Sequence, residues 1–247
     1  MKILFYIYLI LILPQISFEI DNLYSVKNKN FDSVYHILQT NDFEISGDGD
    51  SENWDNVQWL DLVPLIPFRN DDVLFTRVKA LYSQTGIYFL FYCQDSKLTA
   101  TMEVDFMDLW KEDVVEVFLW PDQAIPTYFE YELSPLNYEL AILVSNIDGE
   151  LYRWQPFHYE TDRQARHATS IIGGEKKIKV TVSAWKAEFF IPYKLLRPLK
   201  NISPQKGTTW RANFYRIDHD DGVVRWSWQP IDRSYHEIEK FGEIIFQ

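Results

Sequence analysis

From residue 74 to the C-terminus the chain is cut into short apolar runs bounded by turn residues, each of strand length rather than helix length. "LFTRVKALYS", "GIYFLFYCQD", "DVVEVFLW", "TYFEYELS" and "YELAILVSN" come in succession, and "KIKVTVSAWKAEFFIP", "TWRANFYRID", "VRWSW" and "FGEIIF" stand further along. β-Branched and aromatic residues fill these runs, the types that suit a pleated, half-buried surface. "LYSQTGIYF" reads as a hairpin with Gly86 at the bend. The best helical stretch is short, Tyr193 to Leu199, and Pro198 ends it. About ten strands, very little helix and no fixed-period repeat predict an all-β fold, an antiparallel β-sandwich of immunoglobulin-like or jelly-roll type. Residues 153–174 are the least patterned and read as a long surface loop or an excursion over one sheet.

A chain of 247 residues with 47% hydrophobic content can build one substantial core, and no second domain is evident. Its single cysteine, Cys93, rules out an internal disulfide, so that core must hold without staples. Cys93 itself reads as a small buried hydrophobe. The aromatic share of 17% suits an all-β binder. A formal net charge of −12 argues against nucleic acid or an anionic membrane as a partner.

The N-terminus reads as an export signal over residues 1–18. Lys2 supplies the positive start, Ile3 to Leu13 form the apolar run, Pro14 breaks it, and Ser17 is the small residue near a cut. About eleven apolar residues are too few to span a bilayer comfortably, which sets the export signal above an uncleaved anchor. The expected organisation is therefore a signal, a lead-in over residues 19–41, and a sandwich over 42–247. The expected location is outside the cytoplasm: extracellular, cell-surface or periplasmic, with no membrane contact once the signal is removed.

Side-chain parity separates two faces on three of the runs. Val115, Val117 and Leu119 form one row, with Glu116 on the other beside Val114 and Phe118. Phe129, Tyr131 and Leu133 oppose Tyr128, Glu130 and Glu132, while Trp210, Ala212 and Phe214 oppose Arg211, Asn213 and Tyr215. If these strands are neighbours, Glu116, Glu130, Glu132, Arg211, Asn213 and Tyr215 share one sheet face. Any half-solvated sheet shows such a polar row, so alternation alone does not separate a binding face from a wet one.

The order of the pieces adds to this. "ISGDGDSENWDN", the hairpin leading to Asp95, "LWKEDVVEVFLWPD", "WKAEFFIPYKLL", "WRANFYRID" and "YHEIEKFGEIIF" stand in sequence. The chain from about residue 42 onward resembles family 9 carbohydrate-binding modules, sugar-binding β-sandwiches found attached to, or produced alongside, bacterial polysaccharide-degrading enzymes. The resemblance implies non-catalytic binding of an oligo- or polysaccharide, with a secreted glycoside hydrolase as a candidate partner. It implies that Trp110 and Tyr235 are the two aromatic planes that hold a sugar ring, with Glu116 as a hydrogen-bonding residue. Glu130 and Glu132 stand where the family carries an arginine and an asparagine, and Ile238 stands where its closing motif has proline. Tyr215 and Asp232 fall near further contact positions.

The chemistry suits those residue types. A pyranose has an apolar C–H face that a ring can cover and a rim of hydroxyls that charged groups can satisfy. Covering ~50 Å² per face contributes on the order of 1 kcal/mol per wall. Set against the loss of rigid-body freedom, this predicts weak binding, from about millimolar to micromolar. Three glutamates on one face need compensation, from Arg211, a ligand cation or bound calcium. Asp48, Asp50 and Glu52 offer oxygens for a candidate Ca²⁺, without matching a calcium-loop pattern.

Three rival readings stand beside this one. Glu116 with Glu130 or Glu132 could be the carboxylate pair of a glycoside hydrolase. Met102, Met107, His158 and His167 could ligate haem. Or the sandwich is structural, with Trp110 and Tyr235 as packing.

Overall fold

The computed structural model describes residues 32–65, 74–220 and 222–247, so the expected export signal and most of the lead-in lie outside the described residues. Among the described residues there are thirteen strands: β1 (Val34–Gln39), β2 (Leu60–Pro64), β3 (Thr76–Tyr82), β4 (Gly86–Gln94), β5 (Val114–Trp120), β6 (Thr127–Leu133), β7 (Glu139–Ile147), β8 (Glu150–Pro156), β9 (Arg166–Ile172), β10 (Ala184–Pro192), β11 (Thr209–Asp218), β12 (Val224–Ser227) and β13 (Gly242–Phe246). The helical elements between them are short 3-10 turns. The architecture is the expected β-sandwich.

One sheet runs β8-β7-β6-β5-β11, with β12 and β13 dividing the far edge of β11 between them. The other runs β2-β3-β4-β10-β9. Pairings are antiparallel except those of β1, which runs parallel to β13 and then to β3, and so ties the two sheets together. β12 and β2 make a second tie through Trp226 and Ser227 against Pro64 and Val63.

The rows expected to face inward do so. Val115, Val117 and Leu119, Phe129, Tyr131 and Leu133, and Trp210, Ala212 and Phe214 join Phe89, Phe91, Trp185 and Phe189 in the central core. Cys93 is buried there, and burial pushes its thiol up to about 12, as befits an inert small hydrophobe. Arg216 is a charged exception. Its guanidinium lies at 0% exposure over the Trp226 ring, donating to Asp95 at 2.9 Å and Asp218 at 2.8 Å. Asp95 also accepts from the Trp185 indole at 3.0 Å, which gives the acidic residue closing the hairpin motif a structural task.

Several expectations are corrected. The stretch 153–174 is not a loop throughout: it holds the end of β8 and all of β9, both hydrogen-bonded sheet edges. β8 is exposed along nearly its whole length, so it shows no buried-versus-wet alternation to read. Tyr193 to Leu199 is a series of tight turns, with the N–H groups of Leu195, Leu196 and Leu199 each bonded three residues back. Gly86 opens β4 rather than forming the bend, and an added Cβ there would collide with the Ile191 carbonyl oxygen. Within the lead-in, β1 is an integral strand.

Both sheets are covered on their outer faces as well. Outside the second sheet, Trp54, Tyr88, Leu90 and Phe190 form a cluster under Phe43 and Ile45. Outside the first, Val114, Phe118, Tyr128, Ile142 and Tyr215 lie under Trp110, Ile231, Tyr235 and Ile238. The polar row of β5, β6 and β11 is therefore not a wetted face. It is roofed.

Candidate functional site

The roof of the first sheet has two parts. The first is a 3-10 turn, Leu109–Lys111, just ahead of β5. Leu109 is buried and anchors it, Lys111 pairs with Asp108 at 2.5 Å, and Trp110 is left half-buried between them. Two acidic residues fix the chain between this turn and the strand. Glu112 accepts from the backbone and hydroxyl of Thr101 and from Met102 N–H. Asp113 is buried and accepts from Thr99 N–H at 2.5 Å and His219 N–H at 2.8 Å. The tryptophan-to-aspartate spacing of the motif thus pins the turn to the start of the strand.

The second part is the segment from Ile231 to Lys240. Glu237 folds it by accepting the N–H groups of Asp232, Arg233 and Ser234. Burial works against the charge on Glu237, but those three donors and Arg233 outweigh it and hold its pKa below the usual value. The fold of this arm lays Tyr235 flat on Tyr215, with ring centroids 4.0 Å apart and planes at 8°. Tyr215 donates its hydroxyl to the Tyr235 carbonyl at 2.9 Å, and Tyr235 donates to the Arg216 carbonyl at 3.3 Å. His236 sits beside it, 2.5 Å from the Tyr128 hydroxyl, and burial lowers its pKa to about 4.

Between the two parts lies a cleft of roughly 630 Å³. Trp110, Trp154 and Tyr235 are among its walls, with Trp154 meeting Trp110 edge-on at 5.4 Å. Glu116, Phe118 and Glu130 line it from the sheet, and Arg225, Asp232 and Arg233 contribute charge. The register explains the floor: Glu116 of β5 lies opposite Glu132 of β6 and Tyr215 of β11, and Phe118 lies opposite Glu130. The three strands are neighbours, as a shared polar face requires.

Of the expected site residues, Trp110, Glu116, Glu130, Tyr235 and Asp232 line the cleft. The other four are held elsewhere. Glu132 is fully buried on the same face, opposite Glu116 and outside the cleft lining. Tyr215 supports Tyr235 from beneath. Asn213 clamps the chain after β12, donating to Gln229 O at 3.0 Å and accepting Gln229 N–H at 2.9 Å. Arg211 turns to the carbonyls of Phe241 and Glu239 and lines a separate, smaller pocket with Trp120 and Ile238. Arg211 is therefore not the compensating charge for the glutamates. Trp154 and Arg225 escaped sequence reasoning. Trp154 sits on the exposed edge strand β8 beyond a bulge, and Arg225 on the four-residue strand β12 gave no pattern of its own.

The carboxyl groups are the electrostatic peculiarity of this floor. Glu116 and Glu130 are 1% and 5% exposed, and Glu116 Oε1 and Glu130 Oε2 have no hydrogen-bond partner of good geometry in the protein, nor has either oxygen of Glu132. Burial raises the pKa of all three. For Glu116 the charge of Glu130 adds to this while Arg225 opposes it, and Glu130 is pushed up to about 8. Glu130 and Glu132 lie close enough to influence each other, so that a proton held on Glu132 favours the charged form of Glu130.

The loop read as a candidate calcium source does something else. Glu188 of β10, fully buried, accepts N–H groups from Ser46, Gly47 and Gly49 and the Trp54 indole N–H at 2.8 Å. Gly47 and Gly49 have φ of +89° and +61°, and a Cβ on Gly49 would strike the Leu90 side chain. Asp50 is occupied by the Ser46 hydroxyl at 2.6 Å. Among the described residues, the acidic side chains close enough to share an ion are Asp95, Asp218 and Asp220 instead. Arg216 already bridges the first two, and Asp220 accepts the Ser96 and Thr99 hydroxyls, so this donor set does not fit calcium.

The sequence profile of carbohydrate-binding family 9 matches residues 49–246. The chain belongs to that family. A relative from Arthroderma benhamiae, named as an extracellular protein, is 25% identical over 181 residues, covering 69% of this chain and 78% of its own. Among solved structures, a proposed carbohydrate-binding protein from Bacteroides uniformis has a TM-score of 0.70 at 14% identity, covering 87% of this chain and 99% of its own. A family 9 module from Caldicellulosiruptor kristjanssonii in complex with cellotriose has a TM-score of 0.61 at 15% identity, over 86% and 94% of the two chains. A family 9 module from the same organism with glucose reaches 0.58 at 15% identity, over 86% and 96%. These likenesses establish the sandwich fold shared with sugar-complexed modules. Among the described residues no helix is long and apolar enough to cross a membrane.

Proposed function

We propose that this family 9 domain binds an oligo- or polysaccharide without cleaving it, the sugar ring resting between Trp110 and Tyr235 and its hydroxyl edge meeting Glu116 and Glu130. The observation that carries this is the convergence of two aromatics and a buried glutamate, from distant parts of the chain, on one cleft. Trp154 extends the aromatic wall beside Trp110. Tyr235 gives one ring face to Tyr215, which leaves the other for a ligand and stiffens the wall before binding. The family, the likeness to modules crystallised with glucose and cellotriose, and the expected export signal support a role outside the cell in polysaccharide breakdown, beside a secreted glycoside hydrolase.

The hydrolase reading is less well supported. A glycosidase needs two carboxyl groups on either side of the scissile bond. Glu116 and Glu130 rise from one face of one sheet, on adjacent strands, and so lie on the same side of anything in the cleft. Affinity electrophoresis of the mature protein on a panel of polysaccharide gels tests the proposal. Retention without release of reducing sugar is expected, and Trp110→Ala should abolish retention while the protein stays folded. Release of reducing ends that Glu116→Gln abolishes would instead make it an enzyme.

A further inference from the structure

The cleft floor is too acidic for the partners around it. Two buried carboxyl groups, Glu116 and Glu130, line the cleft, and each has an oxygen that no protein donor satisfies. Buried polar atoms of this kind are rare in folded proteins and cost stability unless something else fills the need. The cationic candidates nearby do not meet it fully. Arg211 is turned away to the Phe241 and Glu239 carbonyls. Arg233 is shared between Glu150 at 2.5 Å and Glu239 at 3.1 Å. His236 is half-buried against Tyr128, and its low pKa keeps it neutral. Arg225 stands at the cleft as one exposed charge beside Glu116, with Glu130 and Glu132 further in. Among the described residues no lysine lines the cleft.

We propose that the sugar this cleft selects carries a protonated amine, as in a glucosamine unit of a de-N-acetylated chitin-like chain, with the ammonium group seated between Glu116 and Glu130. This rests on the sugar-binding reading and names its substrate class. A hydroxyl brings one donor and no charge to the two orphaned oxygens. An ammonium brings three donors and a full positive charge; beside such a charge a buried carboxyl group gives up its proton more readily and then accepts charge-assisted hydrogen bonds, the strong kind. The aromatic walls serve the same ligand, since Trp110 and Tyr235 can stack on the C–H face of a glucosamine ring as on glucose and also attract a nearby cation.

The experiment is isothermal titration of the mature protein at neutral pH with three disaccharides of one linkage: the glucosamine dimer, its di-N-acetyl form and cellobiose. The expected result is at least a tenfold tighter binding of the free-amine sugar than of the other two. Glu116→Gln and Glu130→Gln should each shrink that ratio at least several-fold, and replacing a buried carboxyl group by an amide of the same volume leaves both variants able to fold. Tighter or equal binding of cellobiose overturns the amine assignment and leaves the sugar-binding reading intact. Tighter binding of the N-acetyl form overturns it in favour of a neutral amide. Failure of all three to bind, with the fold intact by circular dichroism, overturns both readings.

Discussion

The two outer faces of this sandwich carry the same problem and treat it in opposite ways. Outside the second sheet, Glu188 is buried under the loop from Ser46 to Trp54, and that loop bends through two left-handed glycines so that three N–H groups and an indole reach its oxygens. Outside the first sheet, Glu116, Glu130 and Glu132 are buried as deeply, yet the covering segments bring mainly rings, with the Trp110 N–H as a donor toward Glu132 and unpartnered oxygens left on Glu116 and Glu130. A carboxylate held by donors organises its loop and is finished. One left without them costs stability that a protein retains only where the group has other work. Donor supply thus separates Glu188 from the three glutamates of the first sheet, although all four look alike on their strands.

The largest expected effect lies on the satisfied face. Glu188→Ala strands three backbone N–H groups and the Trp54 indole in an apolar cluster, so urea unfolding should register a loss on the order of 3–5 kcal/mol. An effect under about 1 kcal/mol would mean the loop finds water instead and would weaken the contrast.

On the other face no such loss is expected. Glu132 does not line the cleft, and its carboxyl group has only the Trp110 N–H and the Glu130 carboxyl for company against the cost of burial, so Glu132→Leu should leave the domain as stable or up to about 1 kcal/mol more stable in the same assay near pH 8. Destabilisation would show that Glu132 is tied in after all.

A smaller signature is expected in pH. The folded-state pKa of Glu130 is raised from 4.5 to about 8, so its share of stability is whole below 4.5 and drains as pH climbs toward 8. His236 works from the other side: lowered from 6.5 to about 4, its share is whole above 6.5 and is lost as pH falls toward 4. Denaturation of the parent and of Glu130→Gln at several pH values from about 4 to 9 should show the parent falling behind the variant as pH rises through that upper window. Parallel curves would contradict the unpaired state of Glu130.

A further small effect concerns Arg211. Lysine cannot reproduce its fork onto Phe241 and Glu239, so Arg211→Lys should cost about 0.5–1.5 kcal/mol of stability with polysaccharide retention unchanged. Loss of retention would bring Arg211 back to the sugar.

How far the sequence could be read depends on the range of each interaction. Strands β5, β6 and β11 were legible because their inward rows alternate with a period that the backbone itself imposes, and β4 because its apolar run has strand length between turn residues. Strands β1, β2, β8 and β9 were not, since β8 is wet on both faces and β1 is placed by long-range parallel pairing to β13 and β3. At the site, Trp110, Glu116 and Tyr235 stood in local motifs and could be named, whereas Trp154 is brought to Trp110 only by the pairing of β8 with β7.

The amino-acid order alone determined the class of fold and the inward rows, because these depend on residue type and spacing along a single strand. Only the tertiary structure decided that the polar row of β5, β6 and β11 is roofed, that Arg211 faces elsewhere, and that Glu188 is satisfied while Glu116 and Glu130 are not. Hydrogen-bond satisfaction is a property of what distant segments bring to a place, and a strand read by itself carries no record of its cover.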